Sequence, residues 1–391
     1  MKDVWKEQIE KRIDQKFIVP LIIAIVIIVI IAIISMLYLF NTNIRAWIDK
    51  NIFRKEVMQD KVATIDLKGE TNNVYAFNKY IGILSKNEFT IYDNTGNKQE
   101  SLEIQISNPI FNSANRFLAI AESKGQKVYM IADKNIVWEN TVDGDISQIH
   151  INKNGYVAVV IVNTSHKTVI AMYDPQGKPM FKTFLSSTRT ADVSISNDNK
   201  YLAIAEVDTS GSIVQSNVKV FSIDKASTDP TNSLENTYQG ENDRLITNIK
   251  YQDKNKLICM YRDSIHVIQN GQDNVLVDNK NRKVLFQSIE LNNNVILIEE
   301  RSSGLFTADS VINIVNVDNS NTKEYVVNSI TKEMYSYGDI IALNLGTEVE
   351  FINNGGWLVK RYIANQEITN IVVSDNIAGI IYRDKIEIIN L

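Results

Sequence analysis

One cysteine, three histidines and five prolines are spread over 391 residues. The lone Cys259 excludes any intramolecular disulfide. It says nothing about compartment, because a domain of this length buries a large core without covalent staples. The histidines, His150, His166 and His266, form no H-x-x-x-H or Cys/His spacing, which argues against a zinc site. No G-x-S-x-G elbow, Walker loop or G-x-G-x-x-G occurs either. Scarce proline and the lack of low-complexity tracts exclude a disordered stalk.

Surplus positive charge is also missing. Ten basic and seven acidic residues stand in 1–61, leaving 31 basic and 39 acidic residues beyond, a net charge of −8. A domain of that sign is a poor nucleic-acid binder, since such affinity rests on neutralising phosphates. It is also repelled by anionic headgroups.

What the chain does have is an uncharged apolar run from Phe17 to Phe40. About 20 apolar residues cross a bilayer core as a helix. Pro20 lies near its start, where a missing N–H costs little. Tyr38 near its end and Trp47 beyond it suit the interface. The run is too long for a signal-peptide core, and no small-x-small site follows. The expected anchor residues are therefore Phe17, Pro20, Tyr38, Phe40 and Trp47. Residues 1–16 read as a short amphipathic cytoplasmic segment, 17–40 as the transmembrane helix and 41–61 as a helical linker. Five basic residues precede the run and four follow it closely, a weak positive-inside bias. Long domains translocate largely regardless of charge, so the expectation is N-terminus inside and 62–391 outside the membrane.

From Val62 onward, short runs of Ile, Val, Tyr and Phe alternate with Asn, Asp, Gly and Ser clusters, a strand-turn grammar. One strand recurs at 89–93, 128–133, 169–174, 218–224, 265–270, 312–318, 349–354 and 386–390. A second precedes each copy, and in seven of the eight it carries a small residue in mid-strand: Gly82, Ala119, Ala158, Ala203, Cys259, Ala342 or Gly379. The period, about 40 residues or somewhat more, is that of propeller blades. We expect an all-β fold: an eight-bladed β-propeller, seven-bladed if two weak units merge, after one N-terminal transmembrane helix. The last unit holds only three clear strands, and 62–67 is a spare. If the spare completes the last blade, the ring closes without an open edge.

The turns carry a resemblance. Residues 194–203 resemble the strand-turn-strand signature of WD40-like and TolB-like propellers. The D-x-x-G turns at Asp93–Gly96 and Asp174–Gly177 resemble those of pyrroloquinoline-quinone-type repeats, with Trp138 and Trp357 near the expected tryptophan slots. The Gly-His and Trp-Asp pairs of true WD40 repeats are missing. Anchor plus propeller also resembles an uncharacterised family of bacterial single-pass membrane proteins, a domain of unknown function that implies no activity.

Function is therefore expected in loops. Second-to-third connections run long at 207–217, with Asp208, and at 301–309, with Arg301, Leu305 and Phe306. An exposed aromatic beside arginine suits a partner hot spot. Asp143, Asp145, Asp192 and Asp198 read as turn residues, and 226–241 as a flexible polar connection. The expectation is a non-enzymatic platform at the bacterial cell envelope, binding a protein or peptide, without cofactor or metal. Oligomeric state is left open. The alternatives are an extracytoplasmic enzyme or small-ligand sensor with a site in the channel, and a cytoplasmic membrane-tethered scaffold. Convergent polar or acidic residues at one channel mouth favour the channel site. A channel lined by small apolar residues, with an apolar patch on one face, favours the platform.

Overall fold

The computed structural model describes residues 20–38, 44, 48, 62–67, 73–85, 87–240, 244–252, 255–302, 308–374 and 376–391. Two compact units result, Met1–Met58 and Gln59–Leu391. The first contains the 19-residue helix Pro20–Tyr38. At 1.5 Å per residue it spans about 28 Å, close to the hydrocarbon thickness of about 30 Å. Its Leu, Ile and Val side chains stand exposed along its length. Ile44 and Ile48 are helical as well. Phe17, Phe40 and Trp47 lie outside the described residues, as do Leu305 and Phe306.

The second unit is built from eight four-stranded antiparallel sheets. Blades 1–7 span 73–103, 109–141, 145–185, 189–239, 246–278, 284–327 and 333–363. Blade 8 takes three strands from 370–390 and its fourth from Ala63–Asp66. No two units merge, so the ring has eight blades. First strands of successive blades touch one another and so lie innermost. The closing strand Ala63–Asp66 pairs Ala63 with Ile388 and Asp66 with Lys385. Leu67 N adds a bond to Asp384 O at 2.8 Å.

The core is a ring of layers between blades. Ala119 and Ala121 of blade 2 pack with Val157, Val159 and Ile161 of blade 3. Ala158 and Val160 turn the other way, onto Leu202 and Ile204 of blade 4. Second strands are thus apolar on both faces, which is why they read as continuous runs. The small mid-strand residues make room for bulk from the same blade. A Cβ on Gly82 would lie 2.1 Å from the Phe89 ring.

Blade-to-blade docking follows the D-x-x-G turns. Asp174 Oδ1 accepts from Gln176 N and Lys178 N, each at 2.9 Å, and closes the turn. Trp138 of blade 2 stacks on Tyr173 at 5.8 Å and covers Gly177. Asn140 Nδ2 donates to Gly177 O at 2.8 Å. Trp357 departs from the expected slot, with 52% of its surface exposed.

One connection differs from expectation. Within 226–241, the residues are ordered rather than a flexible link wherever they are described. Helix Ile223–Thr228 and a 3-10 turn at Pro230–Asn232 lead into Leu234–Gln239, the fourth strand of blade 4. Ser222 caps the helix by accepting from Lys225 N at 3.3 Å, and Ile223 and Ala226 are buried in the layer between blades 3 and 4.

Candidate functional site

First strands are the inner edge of every sheet, so their inward N–H and C=O groups need partners. Side chains of the neighbouring blade supply them. Asn112 Oδ1 accepts from Ile151 N at 3.1 Å. Gln148 Nε2 donates to Ala191 O at 2.9 Å. Ser194 Oγ accepts from Tyr251 N at 2.8 Å. Gln252 Nε2 donates to Leu291 O at 3.0 Å. Polar residues on the inner strands thus serve first to seal edges.

Beyond those seals lies a cavity of about 850 Å³, walled by the C-terminal ends of the first strands of blades 2–7. It opens on the face that carries the first-to-second-strand turns. Those turns place Asn115, Asn199, Asn255 and Asn293 at φ between 51° and 62°. Asparagine tolerates this left-handed region because its side chain bonds locally to the backbone. Across the channel, the Tyr337 hydroxyl accepts from Asn115 N at 3.0 Å and ties blade 7 to blade 2.

Lys153, Lys250 and Lys323 share the wall with Asp192, Glu290 and Asp339. Lys250 is bonded to Glu290, and Asp339 Oδ1 accepts from Asn354 Nδ2 at 2.8 Å. Asp192 is not a turn residue. It sits on the first strand of blade 4, 8% exposed. It accepts from Ile249 N at 2.7 Å and from its neighbour Val193 N at 2.9 Å. His150 Nε2 stands 3.5 Å from its Oδ1. Ring closure put Asp192 here, since spacing alone cannot tell a turn from an inner strand end. Asp198 does close a turn, accepting from Ser196 Oγ at 2.7 Å.

Burial pushes Asp192 up to about 7 and His150 down to about 4. Between about pH 4 and 7 the folded pair holds one proton, on Asp192. Unfolded, with ordinary values of 3.8 and 6.5, the pair also holds one proton, on His150. Equal proton counts leave wild-type stability nearly flat over this range from these groups. Single variants expose the opposing slopes. In His150→Gln the remaining Asp192 has a raised folded value, so stability is full below pH 3.8 and falls as pH rises to about 7. In Asp192→Asn the remaining His150 has a depressed folded value, so stability is full above pH 6.5 and falls toward pH 4. Each change amounts to a few kcal/mol. Urea unfolding across this range is expected to give slopes of opposite sign. Parallel or flat profiles for the two variants would refute the opposing shifts that burial imposes on the two groups.

A second constellation escaped sequence reading. Ser264 Oγ lies 3.2 Å from His266 Nε2, and His266 Nδ1 lies 3.1 Å from Asp273 Oδ1. These are nucleophile–base–acid distances. Ser264 is 1% exposed and His266 5%. The network is closed to a substrate and joins the second hairpin of blade 5. Among the described residues, no three His, Cys, Asp or Glu side chains gather as a metal site requires.

A family model matches residues 51–391. The chain belongs to DUF5711, a family of unknown function. Comparison of this DUF5711 chain with curated proteins returns no match. Among solved structures, it is similar to the C-terminal WD40 domain of Sif2, with 11% identity and a TM-score of 0.57 over 85% of this chain and 99% of that one. Sqt1 of Chaetomium thermophilum follows at 10% identity and 0.52, over 85% and 100%. BamB of Moraxella catarrhalis gives 12% and 0.50, again over 85% and 100%. At these identities the likeness is one of fold.

Of the loop residues singled out from sequence, Arg301 and Asp208 are described, and neither lines the channel cavity. Arg301 ends the second strand of blade 6, with Asp309 at 3.9 Å and Glu324 at 3.6 Å. Asp208 ends the second strand of blade 4, where bonds from Ser210 N and Oγ hold its carboxyl below the usual range. Past Asp208, the same hairpin exposes Ile213 and Val214, 50% and 37%. Phe184, Leu245 and Ile330 are exposed on the same face, opposite the cavity. Neither the wall asparagines nor these apolar tips carry a local signal. Both are assembled from turns of different blades.

Proposed function

We propose that this chain is a membrane-anchored, non-enzymatic binding platform at the bacterial cell envelope, with its N-terminus cytoplasmic and the propeller outside. The partner is a protein or peptide. The observation that carries the reading is the apolar set on one face of the ring, from Ile213 and Val214 at a hairpin tip to Phe184, Leu245 and Ile330. Exposed apolar groups on one face suit a protein contact. A related fold, Sqt1, is bound to the N-terminus of ribosomal protein L10. The apolar helix Pro20–Tyr38 supports the anchor.

The polar channel mouth on the opposite face favours a second reading, a small-ligand site. The two readings occupy different faces and do not compete.

Orientation is tested first. Cys259 is 1% exposed, and burial pushes its thiol well above the ordinary value. The folded wild type is therefore expected to resist a membrane-impermeant maleimide. Ser212→Cys adds a thiol at the exposed hairpin tip. In intact wall-less cells, labelling of S212C but not of wild type supports an outside propeller. Labelling only after lysis overturns it. For the platform, a photo-crosslinker at Ser212 is expected to capture one discrete partner, lost when Ile213 and Val214 become Asp. Capture unchanged by those substitutions contradicts the apolar contact.

A further inference from the structure

We infer that the channel mouth binds a neutral polyhydroxylated ligand, a short oligosaccharide. The inference rests on the small-ligand reading of the channel. The cavity, about 850 Å³, falls within the range of small-molecule sites. Ten of its 29 wall residues are asparagine. A carboxamide offers two donors and an acceptor in one plane, while a hydroxyl both donates and accepts. A wall dense in amides therefore complements a ligand dense in hydroxyls.

Other chemistries fit less well. An anion needs uncompensated cations, but Lys250 is spent on Glu290, and Asp339 shares the wall with Lys153 and Lys323. A cation needs free carboxylates, but Asp192 is held by two backbone N–H groups and Asp339 by Asn354. An apolar ligand finds a mainly polar wall. An extended peptide adding to a sheet edge needs open backbone groups and side-chain pockets. Here the inner edges are sealed by Asn112, Gln148, Ser194 and Gln252.

Free amides remain after the edges are sealed. The carboxamides of Asn115 and Asn292 line the cavity, are exposed, and make no hydrogen bond among the described residues. Asn115 has a positive φ of 54° and holds Tyr337 through its backbone. Asn115→Gly therefore removes the amide without disturbing the turn.

The test uses the full-length chain in lipid nanodiscs, avoiding sugar-headed detergents. It is probed on an array of neutral glycans, with neutral tripeptides and citrate as comparators. Saturable binding of at least one glycan, weakened tenfold or more in Asn115→Gly/Asn292→Leu at unchanged melting temperature, supports the inference. Binding of a tripeptide or citrate instead, abolished by the same double variant, overturns the sugar chemistry and leaves the channel a ligand site. Glycan binding that the double variant leaves intact overturns the assignment to this mouth. No binding to any probe overturns both the sugar and the channel site.

Discussion

Replacing Ile65 and Leu67 by Asp is expected to open the ring. Both side chains are buried, at 7% and 8% exposed, in the layer that joins blade 8 to blade 1. Each contributes about 1.5–3 kcal/mol through burial. A buried carboxylate without a partner adds a further penalty, so the strand leaves rather than bury two. Its pairing with 385–388 goes with it. Against a total of about 5–15 kcal/mol, that loss is large, and a fall in melting temperature of about 10 °C or more is expected. The bared edge of Lys385–Asn390 then invites pairing between molecules. Calorimetry and size exclusion of the full-length chain read both effects. Thr64→Lys is the control, since Thr64 is exposed on the same strand and sits opposite Glu387. It is expected to change stability by less than about 1 kcal/mol. A double variant that melts with wild type and elutes at its volume would show that the ring does not depend on this strand.

The second large effect is at Gly177. Its φ is +79°, and a Cβ there would meet Trp138 Cγ at 2.5 Å. A β-branched residue in the left-handed region costs about 1–2 kcal/mol. Overpacking against the indole adds about 1–3 kcal/mol. Gly177→Val is therefore expected to destabilise by about 2–5 kcal/mol. Trp138→Ala alone, emptying a site only 8% exposed, costs a similar amount. The double variant should cost less than the sum, because removing the indole removes the clash. Gly96→Val separates the two causes. Its φ is +77°, but the nearest atom is Ala63 Cβ at 3.1 Å. It should lose mainly the backbone part. Denaturant midpoints of the four variants give the cycle. Strict additivity of Trp138→Ala and Gly177→Val would remove the docking contact from the account.

Much of this was legible locally. The apolar run announces a helix of membrane length, because 19 described helical residues without a charge need no tertiary context. The blades are readable because each repeats the same apolar strands between Asn, Asp and Gly turns. The closing role of 62–67 follows from counting strands, since an odd strand at one terminus and a missing one at the other leave one solution without an open edge. The Asp174–Gly177 turn and the tryptophan slot of Trp138 were legible through the repeat resemblance, and the structure brings the two together.

The misses share a cause. Asp192 sits in a stretch rich in polar residues and so read as a turn, yet it is buried on an inner strand against Ile249 of the next blade. Residues 226–241 read as a loose link because their anchors, Ile223 and Ala226, are few and lie at the segment's start. Ser264, His266 and Asp273 meet only because antiparallel register brings Asp273 beside the third strand of blade 5.

By itself, then, the sequence determined a membrane-length helix, an all-β repeat and a ring that closes on its own first strand. These follow from periodicity and strand count, which are properties of neighbouring residues. Only the tertiary structure decided that six blades converge on an amide-rich mouth and that exposed apolar side chains from several blades share the other face. Asn115 and Tyr337 stand 222 positions apart and meet at 3.0 Å. Which edge of each sheet faces the axis is set by closure of the whole ring, and no local pattern encodes it.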